Sequence, residues 1–146
     1  MKNAAFATIG ILVLVTSMAV AAQAQTNGPM TLVANIPFSF NVGNKEMPAG
    51  QYIVRQVNPS SDRVVLQFTS KRDASSALLQ TSAVRSHATE TSKLVFNRYG
   101  NQYFFSMAII DGSGDAWKAL KSRAERSMAK LDDIRPQTAT VALTRR

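Results

Sequence analysis

The sequence contains no cysteine, a single histidine and a single tryptophan, and its acids are outnumbered almost two to one by its bases. Without cysteine there is no disulfide, no thioether-linked lipid, no thiol nucleophile and no thiolate metal site. With His87 as the one imidazole, a histidine dyad or a multi-histidine metal centre is also excluded. Long apolar runs are missing after the first two dozen residues, so no later segment reads as a membrane-spanning helix.

The first segment is the exception. Lys2 precedes an apolar run from Ala4 to Val20, and the small-residue triplet Ala22-Gln23-Ala24 follows it. That order of charge, apolar stretch and A-x-A is the pattern of a cleaved secretory signal. Residues 1–24 are therefore expected to be removed, with the product periplasmic or secreted and without a transmembrane segment. About 122 residues would remain, the size of one domain with one core. In that oxidising setting the chain must be held by packing alone. The formal net charge of +8 comes from 17 Lys and Arg against 9 Asp and Glu, and removal of Lys2 changes it little. A basic exported protein is expected to meet lipid head groups or anionic envelope polymers; nucleic acid is not an expected partner.

From Leu32 onward, alternation of apolar and polar residues is broken by turn residues every eight to twelve positions, as in all-β sandwiches and barrels. Six strands are expected. In the first, Ala34, Ile36, Phe38, Phe40 and Val42 share a face, and Pro37 on the other face argues for a sheet edge. Pro48-Ala49-Gly50 is a turn into a strand over Tyr52 to Arg55. Val64, Leu66 and Phe68 form the dry side of a third strand, and Ala77 to Val84 a fourth. Lys93 to Tyr99 and Gln102 to Ile110 form a hairpin about Gly100-Asn101. In its second strand, Tyr103, Phe105, Met107 and Ile109 alternate with Phe104, Ser106, Ala108 and Ile110, so both faces need cover.

The expected cover is an amphipathic helix over 116–131, capped by Asp115, with Trp117, Leu120, Ala124, Met128 and Leu131 on its apolar stripe. The chain is thus expected to comprise the signal (1–24), a β-rich domain (25–133) and a tail (134–146) that is flexible or a short extra strand. The fold class expected is mainly β: an antiparallel sandwich or partly open barrel of about six strands with one C-terminal helix packed on it.

No residue set points to catalysis. Asp111-Gly112-Ser113-Gly114-Asp115 has the oxygen-rich opening of a calcium loop, but the twelfth position is Ser122 rather than a bidentate acid. Glu46, Asp62 and Glu90 fall in expected loops with no spacing that forces two together, and neither Ser86 nor Ser127 has a nucleophile-elbow context. The protein is read as not an enzyme, with no metal site and no cofactor.

The stretches IPFSFNVG (36–43), PAGQYIV (48–54) and KLVFNRYGNQYFF (93–105), followed by a basic helix, resemble small secreted bacterial proteins. The PAGxYxV piece is also similar to the turn and strand of Ig-like or prealbumin-like surface modules, which implies a β-sandwich. Neither resemblance implies an active site. The expectation drawn is an exported, non-catalytic binding or structural protein of the cell envelope. Lys118, Lys121, Arg126 and Lys130 on the helix would contact an anionic component. The alternatives are a carrier holding a small apolar ligand between helix and sheet, in a pocket lined by Phe105, Met107 and Trp117, and a hydrolase with two facing carboxylates.

Overall fold

The computed structural model describes residues 30–58, 61, 63–87, 90–112, 114–132 and 135–146. The expected signal, 1–24, lies outside the described residues, as do Asp62 and Ser113. The described residues form ten strands and one helix: β1 (Thr31–Ile36), β2 (Phe40–Val42), β3 (Lys45–Met47), β4 (Gly50–Gln56), β5 (Arg63–Ser70), β6 (Ser76–Arg85), β7 (Lys93–Tyr99), β8 (Gln102–Ile109), β9 (Asp115–Ala119), α1 (Arg123–Asp132) and β10 (Gln137–Arg145).

Eight strands close on themselves in the order β8-β7-β10-β1-β4-β5-β6-β9, with β9 pairing back onto β8 through Met107↔Lys118, Ala108↔Trp117 and Ile109↔Ala116. The fold is mainly β with one short helix, as expected. It is a closed eight-stranded barrel, however, where a sandwich or a partly open barrel of about six strands was expected. Closure removes the free edges that an open sheet would leave. Of the two barrel strands beyond the six expected, β9 falls in the segment assigned to the helix, and β10 is the extra strand that was one of the two alternatives for the tail.

Pro37 has a different role from the one expected. β1 is no edge strand, since it pairs with β10 on one side and β4 on the other. Proline has no N–H for a ladder, so β1 ends at Ile36 and the chain leaves the wall there. It then forms the small β2–β3 hairpin, which pairs with β8 beyond the point where β9 departs, through Asn41↔Phe104. This hairpin plugs one end of the barrel, here called the lower end. Phe40 is fully buried, its ring 5.1 Å from that of Tyr52 and 5.5 Å from that of Phe96. Lys45 Nζ donates to the Ser76 carbonyl at 2.6 Å and fixes the plug to β6. Tyr52 Oη–H donates to the Pro48 carbonyl at 2.6 Å, holding the turn that returns the chain to the wall. Burial raises the pKa of this phenol, with the Asp73 charge adding to the effect.

Inside the barrel, alternate residues converge: Leu32, Ala34 and Ile36 of β1, Val64, Leu66 and Phe68 of β5, Leu94 and Phe96 of β7, Val141 and Leu143 of β10. The alternation expected for β5 is present. That of β8 is not, because Val95 pairs with Met107 while Phe96 pairs with Phe105, leaving Ser106 as a bulge. The bulge switches the parity of the strand. Phe105, Ala108 and Ile110 face inward, whereas Met107 and Ile109 lie outside with Val95 and Ala116 in a second, smaller cluster.

Candidate anion-binding surface

Residues 116–119, expected in the helix, and their expected cap Asp115 form a strand, and Trp117 is therefore a wall residue that packs against the interior cluster. Helix formation starts later because the true cap is Ser122. Its Oγ accepts the Glu125 N–H at 3.1 Å and its carbonyl accepts the first helical N–H, that of Arg126, at 3.0 Å. Ser122-x-x-Glu125 is half of a capping box. The other half is absent, since the glutamate carboxylate turns to the barrel instead.

α1 connects β9 to β10 at the lower end and so must pass outside β8 and β7, the two strands between them in the ring. It is held there by Glu125, which is only 2% exposed. Glu125 Oε1 accepts Asn97 Nδ2–H at 2.8 Å and the Tyr99 hydroxyl at 3.4 Å, and Lys121 Nζ donates to that same hydroxyl at 3.5 Å. Tyr99 and Phe104 beneath the helix are buried edge to face, with centroids 5.9 Å apart. These contacts account for a buried carboxylate as a structural anchor.

With its early acid turned inward, the outward side of α1 carries Arg123, Arg126 and Lys130, spaced three and four residues apart and all exposed. The four cations singled out from the sequence are distributed over three elements. Lys118 is exposed on β9, Lys121 lies in the connection before the helix, and Arg126 and Lys130 are on α1. Arg126 Nη1 also donates to the Lys121 carbonyl at 3.1 Å, which fixes these two cations relative to each other. Missed from the sequence were Arg98 and Arg135, which line one depression of about 320 Å³ at the lower end. They are far apart in sequence and are brought together by the pairing Gln137↔Arg98, which no local pattern announces.

The three residues proposed for an apolar pocket do not come together. Phe105 is inside the barrel, 5.0 Å from the Phe68 ring, and Trp117 packs on the same interior, but Met107 lies on the outer side of the wall. The carboxylates considered for catalysis are also apart: Glu46 is on β3 at the lower end and Glu90 follows β6 at the upper end. Among the described residues no group of three or more His, Cys, Asp or Glu is placed to hold a metal ion. Asp111, the first residue of the calcium-like stretch, accepts the Ser92 hydroxyl at 2.6 Å and Arg145 Nη2 at 3.0 Å; these bonds hold its carboxyl below the usual range. His87 is exposed in the connection after β6. No described helix is long and apolar enough to cross a membrane. Comparisons with protein-family models, with curated proteins and with solved structures give no match to this chain.

Proposed function

We propose that this protein is an exported, non-catalytic binding protein of the cell envelope whose basic surface around α1 contacts an anionic component, either a polymer or a lipid head group. The supporting observation is the inward turn of Glu125. Burial of that carboxylate takes the negative charge of the first turn off the helix's outward surface and leaves Arg123, Arg126 and Lys130 outermost. A rigid anchor also means that these cations are presented in fixed positions rather than on a tethered arm, which lowers the ordering cost of contact.

Exposed charges act through water, and their reach falls to about 10 Å at 0.1 M salt. Association should therefore weaken steeply with ionic strength. The test is cosedimentation of the purified protein with phosphatidylglycerol vesicles and retention on immobilised polyphosphate, each at about 50 and about 300 mM salt, between which the Debye length falls from about 14 to about 6 Å. Binding to at least one surface at low salt, lost at high salt and lost when Lys118, Lys121, Arg126 and Lys130 are all changed to Glu, is the expected result. Binding that ignores salt or charge reversal, or no binding to either surface, would overturn the reading.

A further inference from the structure

At the lower end two depressions lie side by side at the β7–β8 turn. The first, of about 320 Å³, is lined by Arg98, Gly100, Asn101, Arg135 and Gln137. The second, of about 120 Å³, has Asn101 in common with it and adds Ser39, Glu46 and Tyr103. The first alone reaches the size of small-molecule sites.

The first depression is strongly basic, with Arg98 and Arg135 both in its lining. Arg98 Nε–H is held by the Gly100 carbonyl at 2.8 Å, and its guanidinium carbon sits 5.4 Å from the centre of the Tyr103 ring. That leaves the terminal nitrogens of a pre-positioned fork without a hydrogen-bond partner among the described residues. Tyr103 is itself fixed, stacked on Phe38 with centroids 3.8 Å apart and planes 12° from parallel. Arg135 is exposed, and Pro136 after it restricts its backbone to extended conformations. Neither arginine has a carboxylate within 4.0 Å among the described residues, and the side chains of Asn101, Arg135 and Gln137 make no hydrogen bond to other described residues. Two guanidinium groups facing one depression repel each other, and a bound carboxylate would relieve that repulsion through two-pronged hydrogen bonds.

The second depression has the opposite character. Glu46 would repel a second anion but accepts hydrogen bonds from hydroxyl groups, as do the hydroxyl and amide oxygens of Ser39 and Asn101. A ligand with a charge at one end and uncharged hydroxyls at the other fits this polarity, and a simple polyanion does not. We infer that the two depressions together form a binding site for an acidic sugar, its carboxylate on Arg98 and Arg135 and the hydroxyls of its neighbouring ring on Asn101, Ser39 and Glu46. This site uses none of the helix cations and stands or falls separately from the proposed contact through α1.

Calorimetric titration of the purified protein with digalacturonate, galactobiose and inorganic sulfate tests it. Digalacturonate should bind saturably, and galactobiose and sulfate each at least tenfold more weakly. Arg135→Gln, at an exposed side chain that holds nothing else in place, should weaken digalacturonate at least tenfold, as should Arg98→Gln. The double variant Arg126→Glu, Lys130→Glu should leave it within twofold. Absence of saturable digalacturonate binding, or binding undiminished in Arg135→Gln, would overturn the inference. Sulfate or galactobiose binding as tightly as digalacturonate would do the same, by showing a bare ion site or a neutral-sugar site.

Discussion

Asn97 of β7 donates its Nδ2–H to Glu125 Oε1 of α1 at 2.8 Å, joining helix and barrel across 28 positions of sequence. The acceptor is a buried carboxylate, so loss of this donor is costlier than loss of a surface hydrogen bond. Asn97→Ala is expected to destabilise the protein by about 1–3 kcal/mol in urea denaturation. It should also loosen the helix, so that trypsin cuts after Arg123 and Arg126 before the barrel unfolds. Glu125→Gln keeps a hydrogen-bonding side chain of the same shape and should have the smaller effect. Unchanged stability and unchanged cleavage in Asn97→Ala would show that the helix is held by its apolar contacts alone.

The β5–β6 turn contains Ala74 at φ 57°, a left-handed conformation that a Cβ disfavours. It is tolerated because the turn is closed by Ser70 N–H to the Ser75 carbonyl at 2.8 Å and Ala74 N–H to the Ser70 carbonyl at 3.1 Å. Ala74→Gly should raise stability by about 0.5–1 kcal/mol, read as a higher melting temperature. The reciprocal change at the plug, Gly43→Ala, combines φ 62° with a new Cβ placed 3.3 Å from Leu79 Cδ1, and should lower stability by more than about 1 kcal/mol. If both substitutions moved stability in the same direction, backbone conformation would not be the controlling factor.

Much of the barrel wall is legible because its signal is local. Val64, Leu66 and Phe68 alternate without interruption, and Gly100 marks the β7–β8 turn with φ 58°. What is illegible has identifiable causes. β9 is five residues long, too short for a period of two to prevail over the helical spacing of Trp117, Leu120 and Ala124. Ser122-x-x-Glu125 was the available correction, since a capping box places a helix start there and not at Asp115. The bulge at Ser106 carries no residue signature, yet it decides that Phe105 lies inside and Met107 outside. Leu120 and Leu131, assigned to the apolar stripe, are 80% and 79% exposed, because the helix leans on Tyr99 and Phe104 through Glu125 rather than through a leucine seam. Arg98 and Arg135 meet only because β10 pairs with β7, and that is a property of closure, not of any window of sequence.

The carboxylates that titrate abnormally are at turns, and their effect on stability has a definite sign. Asp73 is lowered to about 2 by hydrogen bonds from the Ser70 and Ser75 side chains and the Ser75 backbone, and Asp111 is lowered by Ser92 and Arg145. A carboxylate depressed in the folded state binds fewer protons there than in the unfolded chain, so stability rises with pH through that window. The contribution is complete above the unfolded value of about 4 and is lost as pH falls toward about 2 for Asp73. Melting temperatures measured from pH 2 to 7 should therefore fall on the acid side, and the fall should be shallower in Asp73→Asn, Asp111→Asn. An identical acid limb in the double variant would place the acid sensitivity elsewhere.

Phe40 tests whether the β2–β3 hairpin is part of the core or merely rests on it. Its ring is fully buried and meets Tyr52 at 5.1 Å, Phe96 at 5.5 Å and Phe68 at 6.2 Å, so that one residue of the plug touches three walls of the barrel. Truncation to alanine removes the ring's burial and leaves a void that this ring of aromatic neighbours cannot close without leaving their rotamers. Phe40→Ala should cost about 3–5 kcal/mol, close to the whole stability of many domains this size. Phe38→Ala removes a half-buried ring at the rim and should cost distinctly less, because solvent already reaches that position. Denaturation midpoints of the two variants decide the matter. Equal, small losses would mean that the barrel packs independently of the hairpin, and that the lower end opens without unfolding.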